Sequence, residues 1–191
     1  MGKNGRRYPG CKGCCTVAIN DEEILLIGYS GDISARVLKY NVKTNQGTQM
    51  PDLKIGRNST HGCALFKGGS KGDYVIVTGG ITWENYSNTT EIYYIQSGES
   101  EIVGDLNQGR NRLSLVTVES PRRAVYAMGG QCCTICRSEF AGEIKCYPQP
   151  LDTVELWDDI SKTWKVTKIK LKKPNFQPAS LAVARDVICS N

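Results

Sequence analysis

Val75-Ile76-Val77-Thr78-Gly79-Gly80 and Val125-Tyr126-Ala127-Met128-Gly129-Gly130 are one device written twice. Each is a run of residues that favour extended backbone, closed by two glycines, and the second starts at position 125 where the first starts at 75. Ile24-Leu25-Leu26-Ile27-Gly28-Tyr29 writes it a third time, with tyrosine in place of the second glycine. Three copies at a period of about fifty residues are the mark of a repeat architecture, in which one small unit is stacked on the next.

The surroundings repeat as well. A second strand-prone segment precedes each copy, at 14–19, 61–66 and 113–118. After each comes a segment centred on an aromatic residue: Val37-Leu38-Lys39-Tyr40, Thr90-Glu91-Ile92-Tyr93 and Val154-Glu155-Leu156-Trp157. A further short segment follows at 48–50, 100–103 and 164–169, with turn formers such as Asn45-Gln46-Gly47 and Ser97-Gly98 between the segments. Each unit therefore predicts four short antiparallel strands, and the chain as a whole predicts an all-β fold with almost no helix. The apolar runs show little alternation, which suits strands covered on both faces. Four-stranded sheets buried on both faces and repeated every 40 to 50 residues are the blades of a β-propeller.

These residues resemble the kelch repeat, whose pattern is a double glycine, an aromatic residue, and a tryptophan seven positions later. The third unit carries the likeness best, with Gly129-Gly130, Trp157 and Trp164. The second keeps Gly79-Gly80, Glu91 and Tyr93 but has Ser100 at the tryptophan position, and the first keeps Tyr40 but has Gly47 there. Arg57 and Arg110 resemble the arginine common in kelch loops between blades. The resemblance covers roughly residues 14–189 and implies a propeller used to dock proteins. Kelch propellers commonly serve as substrate receptors of ubiquitin-ligase adaptors or as actin-associated modules. The expected organisation is a basic tail over 1–13 and a kelch-type segment over 14–191, with units at 14–55, 56–108 and 109–173 and a partial unit at 174–191. That amounts to about three four-stranded blades and the start of a fourth, an incomplete ring, as a truncated frame would leave. Open blade edges then raise the expectation of self-association.

Composition fits this reading. Of 191 residues, 40% are hydrophobic and 23% charged, in the range of ordinary globular proteins rather than disordered ones. Apolar runs of four or five residues are too short to span a bilayer, so no membrane partner is expected. The formal charge of +5 is modest. Its densest basic run, Lys165 to Lys173, alternates Lys168, Lys170 and Lys172 with Thr167, Ile169 and Leu171. That period places lysines on one face of a strand, where they discourage edge pairing, so no nucleic-acid partner is expected. The start of the chain is basic and turn-rich and lacks the apolar stretch of a signal peptide. A cytoplasmic location is expected, or an extracellular one if a signal peptide lies outside this frame.

The residues that carry chemistry are few. His61 is the sole histidine. A copper site like that of galactose oxidase, the enzyme alternative among kelch-type propellers, needs two, and a serine or cysteine triad would need His61 itself. No catalytic residue, metal or cofactor is expected, and His61 is read as a rim or core residue. Nine cysteines include two C-x-x-C pairs, Cys11/Cys14 and Cys133/Cys136, a zinc arrangement only if tail and loop meet. Disulfides within 131–150 are expected if the protein is exported, the secreted alternative. Cys63 and Cys189 are read as small buried hydrophobes. Asn58, Asn85 and Asn88 each open a glycosylation sequon.

The chain from Gly130 to Trp157 is about twice as long as that from Gly80 to Tyr93, so 131–150 is an insertion projecting from one rim. The expected function is a non-catalytic module that docks a protein or peptide on its loop rim. Arg57, Trp83, Tyr86 and Arg110 are the candidate contacts, with Arg137 and Glu139 from the insertion. Arginine and aromatic residues are the usual anchors of such interfaces.

Overall fold

In the computed structural model, residues 13–28, 34–57, 60–82, 86–119, 123–138 and 144–175 are described, those of 133–138 and 144–146 by backbone alone. Everything regular among them is β. The first sheet holds β1 (Cys15–Ala18), β2 (Glu23–Ile27), β3 (Val37–Asn41) and β4 (Gln46–Met50), neighbouring in chain order and antiparallel throughout. The second repeats it with β5 (Gly62–Gly69), β6 (Gly72–Thr78), β7 (Thr90–Tyr94) and β8 (Ser100–Val103). The third sheet starts with β9 (Ser114–Val118) and β10 (Ala124–Met128). It then sets β11 (Gln131–Ser138) and β12 (Ile144–Pro150) aside as a separate hairpin, and resumes with β13 (Thr153–Asp158) and β14 (Thr163–Lys170). Three four-stranded antiparallel sheets with one connectivity make this the all-β architecture of a partial propeller.

The registers show why the repeat is legible. Thr78 pairs with Thr90, Ile27 with Val37 and Met128 with Val154, so each copy of the glycine-terminated run lies beside the aromatic strand of its own unit. β6 and β7 are buried along most of their length because a neighbouring sheet covers each face. On one side, Val75, Val77 and Tyr93 pack with Val17, Leu25, Ile27 and Val37 of the first sheet. On the other, Tyr74, Ile76, Ile92 and Tyr94 pack with Val125, Ala127, Trp157 and Trp164 of the third. Alternate residues of one strand thus serve two cores, which explains an apolar run without a polar face.

The glycine pairs are sites of close backbone approach. Gly79 has φ +71°, and a Cβ there would lie 2.5 Å from the Arg110 carbonyl oxygen. Gly130 has φ +87°, and its Cβ would lie 2.6 Å from the Asn111 carbonyl oxygen. Both the left-handed backbone and the lack of space exclude a side chain. What passes against each glycine is the linker into the third unit, so the repeat motif is also the seat of the connection between units.

Candidate functional site

Described residues next to the two glycine pairs are tied together at one end of the sheets. Residues 81–89 connect β6 to β7, and the hairpin occupies the corresponding place between β10 and β13. The linker at Arg110 and Asn111 ties them together. Arg110 N–H donates to the Ser87 carbonyl at 3.0 Å, and Gly80 N–H donates to the Arg110 carbonyl at 2.9 Å. Asn111 exchanges two backbone bonds with Gln131, the first residue of the hairpin. One strap therefore joins Gly80 and Ser87 of the second unit to Gln131 at the base of the hairpin.

The strap is fastened by buried charge. Arg110 is 1% exposed and lies over its own unit. Its Nη1 donates to the Gly129 carbonyl at 3.0 Å, and its Nη2 donates to the Thr153 hydroxyl at 3.1 Å and to Glu155 Oε1 at 2.6 Å. The other oxygen of Glu155 accepts the backbone N–H of Asn107 at 2.8 Å and its side-chain amide at 2.7 Å. Unit two repeats the plan: Arg57 Nη1 donates to the Gly79 carbonyl at 2.8 Å and the Thr89 carbonyl at 3.0 Å. Glu91 accepts Lys54 N–H at 2.5 Å and Ile55 N–H at 3.2 Å. Each buried carboxylate thus binds the linker that enters its unit, and each arginine spans the carbonyls at the glycine corner. Burial pulls the Arg57 guanidinium down to about 10 against the opposing pull of Glu91 and Asp105, and burial lowers Arg110 as well. In the first sheet the register puts Leu38 where the second and third have glutamate.

This placement corrects the expectation that Arg57 and Arg110 stand on the open rim. Both guanidinium groups point inward, and the interface anchors read from sequence act here as linker clamps. Tyr86 is half-buried at that end and pairs with Ile81 through a backbone bridge. Arg137 lies in β11, opposite Lys145 of β12, with its side chain outside the described atoms. Trp83 and Glu139 fall outside the described residues, as do Asn58, Asn85, Cys189 and 176–191. The insertion expected to be a loop is a β-ribbon, whose register sets Cys136 opposite Cys146. Tyr147 of the ribbon is 42% exposed. Cys132 is a buried free thiol at its base, 3.1 Å from the Gln108 side-chain amide.

The remaining chemistry-bearing residues fall as follows. His61 is buried just before β5, with its ring against Gly28. Cys63 is corrected: it borders the core but is joined to Cys15 in a disulfide, with Cα atoms 6.0 Å apart. Cys14 is also disulfide-bonded, which removes its thiolate from any zinc set. Among the described residues no cluster of three His, Cys, Asp or Glu could hold a metal. Among the described residues no helix is long and apolar enough to cross a membrane. Asn88 is exposed, while the sequon hydroxyl of Thr90 is buried and engaged by Thr78 and by the Trp164 indole. The place of Thr90 is thus explained by packing.

Comparison with known proteins gives one likeness that follows this architecture. Over 152 residues the chain is 27% identical to Kelch-like protein 40 of Xenopus tropicalis, an alignment covering 78% of this chain and 22% of that protein. The chain therefore spans about a fifth of the length of the curated relative it matches. No protein-family model matches it. The likeness to a kelch-like protein supports an interaction role for the sheets in general, and names no partner.

Proposed function

We propose that this chain is a non-catalytic docking module of the kelch type, presenting a protein or peptide site at the end that carries Tyr86, Ser87 and the β11–β12 ribbon. The observation that carries the reading is the strap at Arg110 and Asn111, which ties Gly80 and Ser87 to Gln131 at the base of the ribbon. Binding residues on loops held by such a scaffold lose little conformational freedom on association. The similarity to a kelch-like protein over most of the chain supports the same class of role. Within this reading the module recognises a substrate for a ubiquitin-ligase adaptor or attaches to an actin-associated partner. Exposed Ile102 on β8 and Val166 on β14 belong to outer strands through which copies could also associate.

The test replaces 132–149 with a short turn, leaving Gln131 and Pro150 to keep the strap, and compares affinity capture by the intact and shortened chains. The expected result is a set of proteins retained by the intact chain and lost by the shortened one at unchanged thermal stability. Equal capture by both overturns the ribbon as the site. A second reading, an exported protein, is favoured by the Cys15–Cys63 disulfide, since such bonds persist in oxidising compartments. Thiol counting on protein recovered from its native source under alkylating conditions distinguishes the two.

A further inference from the structure

The two seams between the three sheets are fastened by different chemistry. Across the second seam, Trp157 donates to the Tyr74 hydroxyl at 3.1 Å and Trp164 to the Thr90 hydroxyl at 2.9 Å. The Thr117 hydroxyl donates to the Leu65 carbonyl at 2.8 Å, and Gly104 N–H donates to the Lys162 carbonyl at 2.9 Å. At the first seam the positions equivalent to those tryptophans, on the second sheet, are held by Tyr93 and Ser100. The first seam has the apolar cluster around Leu25, Ile27, Val75 and Val77, a bond from Thr60 N–H to the Gly13 carbonyl at 3.0 Å and, among the described residues, a disulfide from Cys15 of β1 to Cys63 of β5. The disulfide joins the first strands of different sheets, 48 residues apart in sequence. Both cysteines are half-buried residues, neither of them enclosed in the core.

We propose that Cys15–Cys63 is a redox latch that fastens the first sheet to the second when oxidised and frees it to open locally when reduced. The exchange is with a small thiol such as glutathione. Its thiolate attacks one sulfur, forms a mixed disulfide and releases the other cysteine as thiolate. A second glutathione attacks the mixed disulfide, so that both cysteines are thiols and the two electrons have come from two glutathiones, which leave as their disulfide. The apolar cluster keeps the reduced sheet folded. What changes is how often it opens, because one constraint on the separated state is gone.

The test is amide hydrogen exchange on the full chain, oxidised with glutathione disulfide or reduced, with Cys63→Ser carried through both conditions. The expected result is a Cys15–Cys63 linked peptide in the oxidised protein, and exchange over β1–β4 that rises about tenfold or more on reduction. The strands β9, β10, β13 and β14 keep their protection, and oxidised Cys63→Ser exchanges like the reduced native chain. Absence of the linked peptide, unchanged exchange over β1–β4, or a rise shared equally by all three sheets overturns the latch. If Cys63→Ser does not fold, the reduced native chain is judged by the same criteria.

Discussion

The indole N–H of Trp164 donates to the hydroxyl of Thr90, 74 positions earlier in the chain and in the neighbouring sheet. Thr90 in turn shares a 2.7 Å bond with Thr78, one residue before the Gly79-Gly80 pair. The repeat tryptophan of one unit is thereby connected to the glycine corner of the unit before it. Trp157 makes the companion bond to Tyr74, whose ring stacks on Phe66 at 5.0 Å. The aromatic and glycine signals of the repeat are the two sides of one inter-sheet joint.

That joint is expected to respond in two steps. Trp164→Phe keeps most of the apolar bulk and removes the donor, which costs about 1–2 kcal/mol for an unmade buried bond. Trp164→Ala also opens a cavity and costs about 3–5 kcal/mol. Urea unfolding with an unchanged slope and a midpoint falling in that order is the expected outcome. Equal midpoints for Trp164→Phe and the native chain would show that the bond contributes nothing.

The two arginine clamps are expected to differ. Arg110→Met strands Glu155 in a buried site with Asn107 as its remaining described partner, and breaking a buried ion pair costs about 3–5 kcal/mol. Arg57→Met leaves Glu91 with its two backbone donors, and Arg57 Nε and Nη2 make no bond among the described residues, so the loss is nearer the ~1–3 kcal/mol of unsatisfied carbonyls. In the double variant Arg110→Met/Glu155→Gln the cost should fall below the sum of the singles, since the charge goes with its partner. Additive losses in that cycle would contradict the direct pairing.

Both clamps also mark how far the sequence could be read. The strands were legible because their signals are local: branched and aromatic runs, glycine pairs, and turn residues between them. The glutamates of Thr90-Glu91-Ile92 and Val154-Glu155-Leu156 were visible as charges inside strand patterns. Their partners are linker N–H groups arriving from another element, and no spacing encodes that. Arg57 and Arg110 were legible as inter-unit residues, but a side chain's direction depends on carbonyls freed at a distant glycine corner. Cys63 fitted a buried strand position, and only the approach of β1 across the seam pairs it with Cys15. The ribbon was read as an insertion of the right extent. Its pairing carries no local signal: Pro148 and Pro150 lie in β12, where proline is tolerated on the edges of a two-stranded sheet.

Gly79→Ala tests the close approach at the glycine corner. The added methyl would sit 2.5 Å from the Arg110 carbonyl oxygen on a backbone at φ +71°, so both the linker and the turn must shift. Strained left-handed backbone alone costs about 1–2 kcal/mol, and the displaced Arg110 carbonyl gives up the bond it accepts from Gly80. The expected outcome is a lowered melting temperature. A control, Gly72→Ala, has open space but φ +99°, and should cost less. Equal costs would locate the effect in backbone strain and remove the steric argument.

Tyr93 makes the fold sensitive to alkali. Its side chain is fully buried in the first seam, and burial pushes the phenol up to about 12, with Asp52 adding to the shift. The unfolded chain ionises near the usual value of about 10. A folded-state value above the unfolded one means the neutral phenol is favoured by folding. Its stabilising contribution is therefore complete below pH ~10 and is lost as pH rises from there through ~12. Because the neighbours are Val75, Val77 and the apolar face of the first sheet, ionisation also places a charge among groups that cannot solvate it. Tyr93→Phe should flatten the stability profile over this window, while Tyr94, likewise raised to about 12, keeps a residual slope from the other seam. Urea unfolding at intervals between pH 9 and 12, alongside the phenolate absorbance, measures both. A Tyr93→Phe profile that falls as steeply as the native one would show that the alkaline transition originates elsewhere.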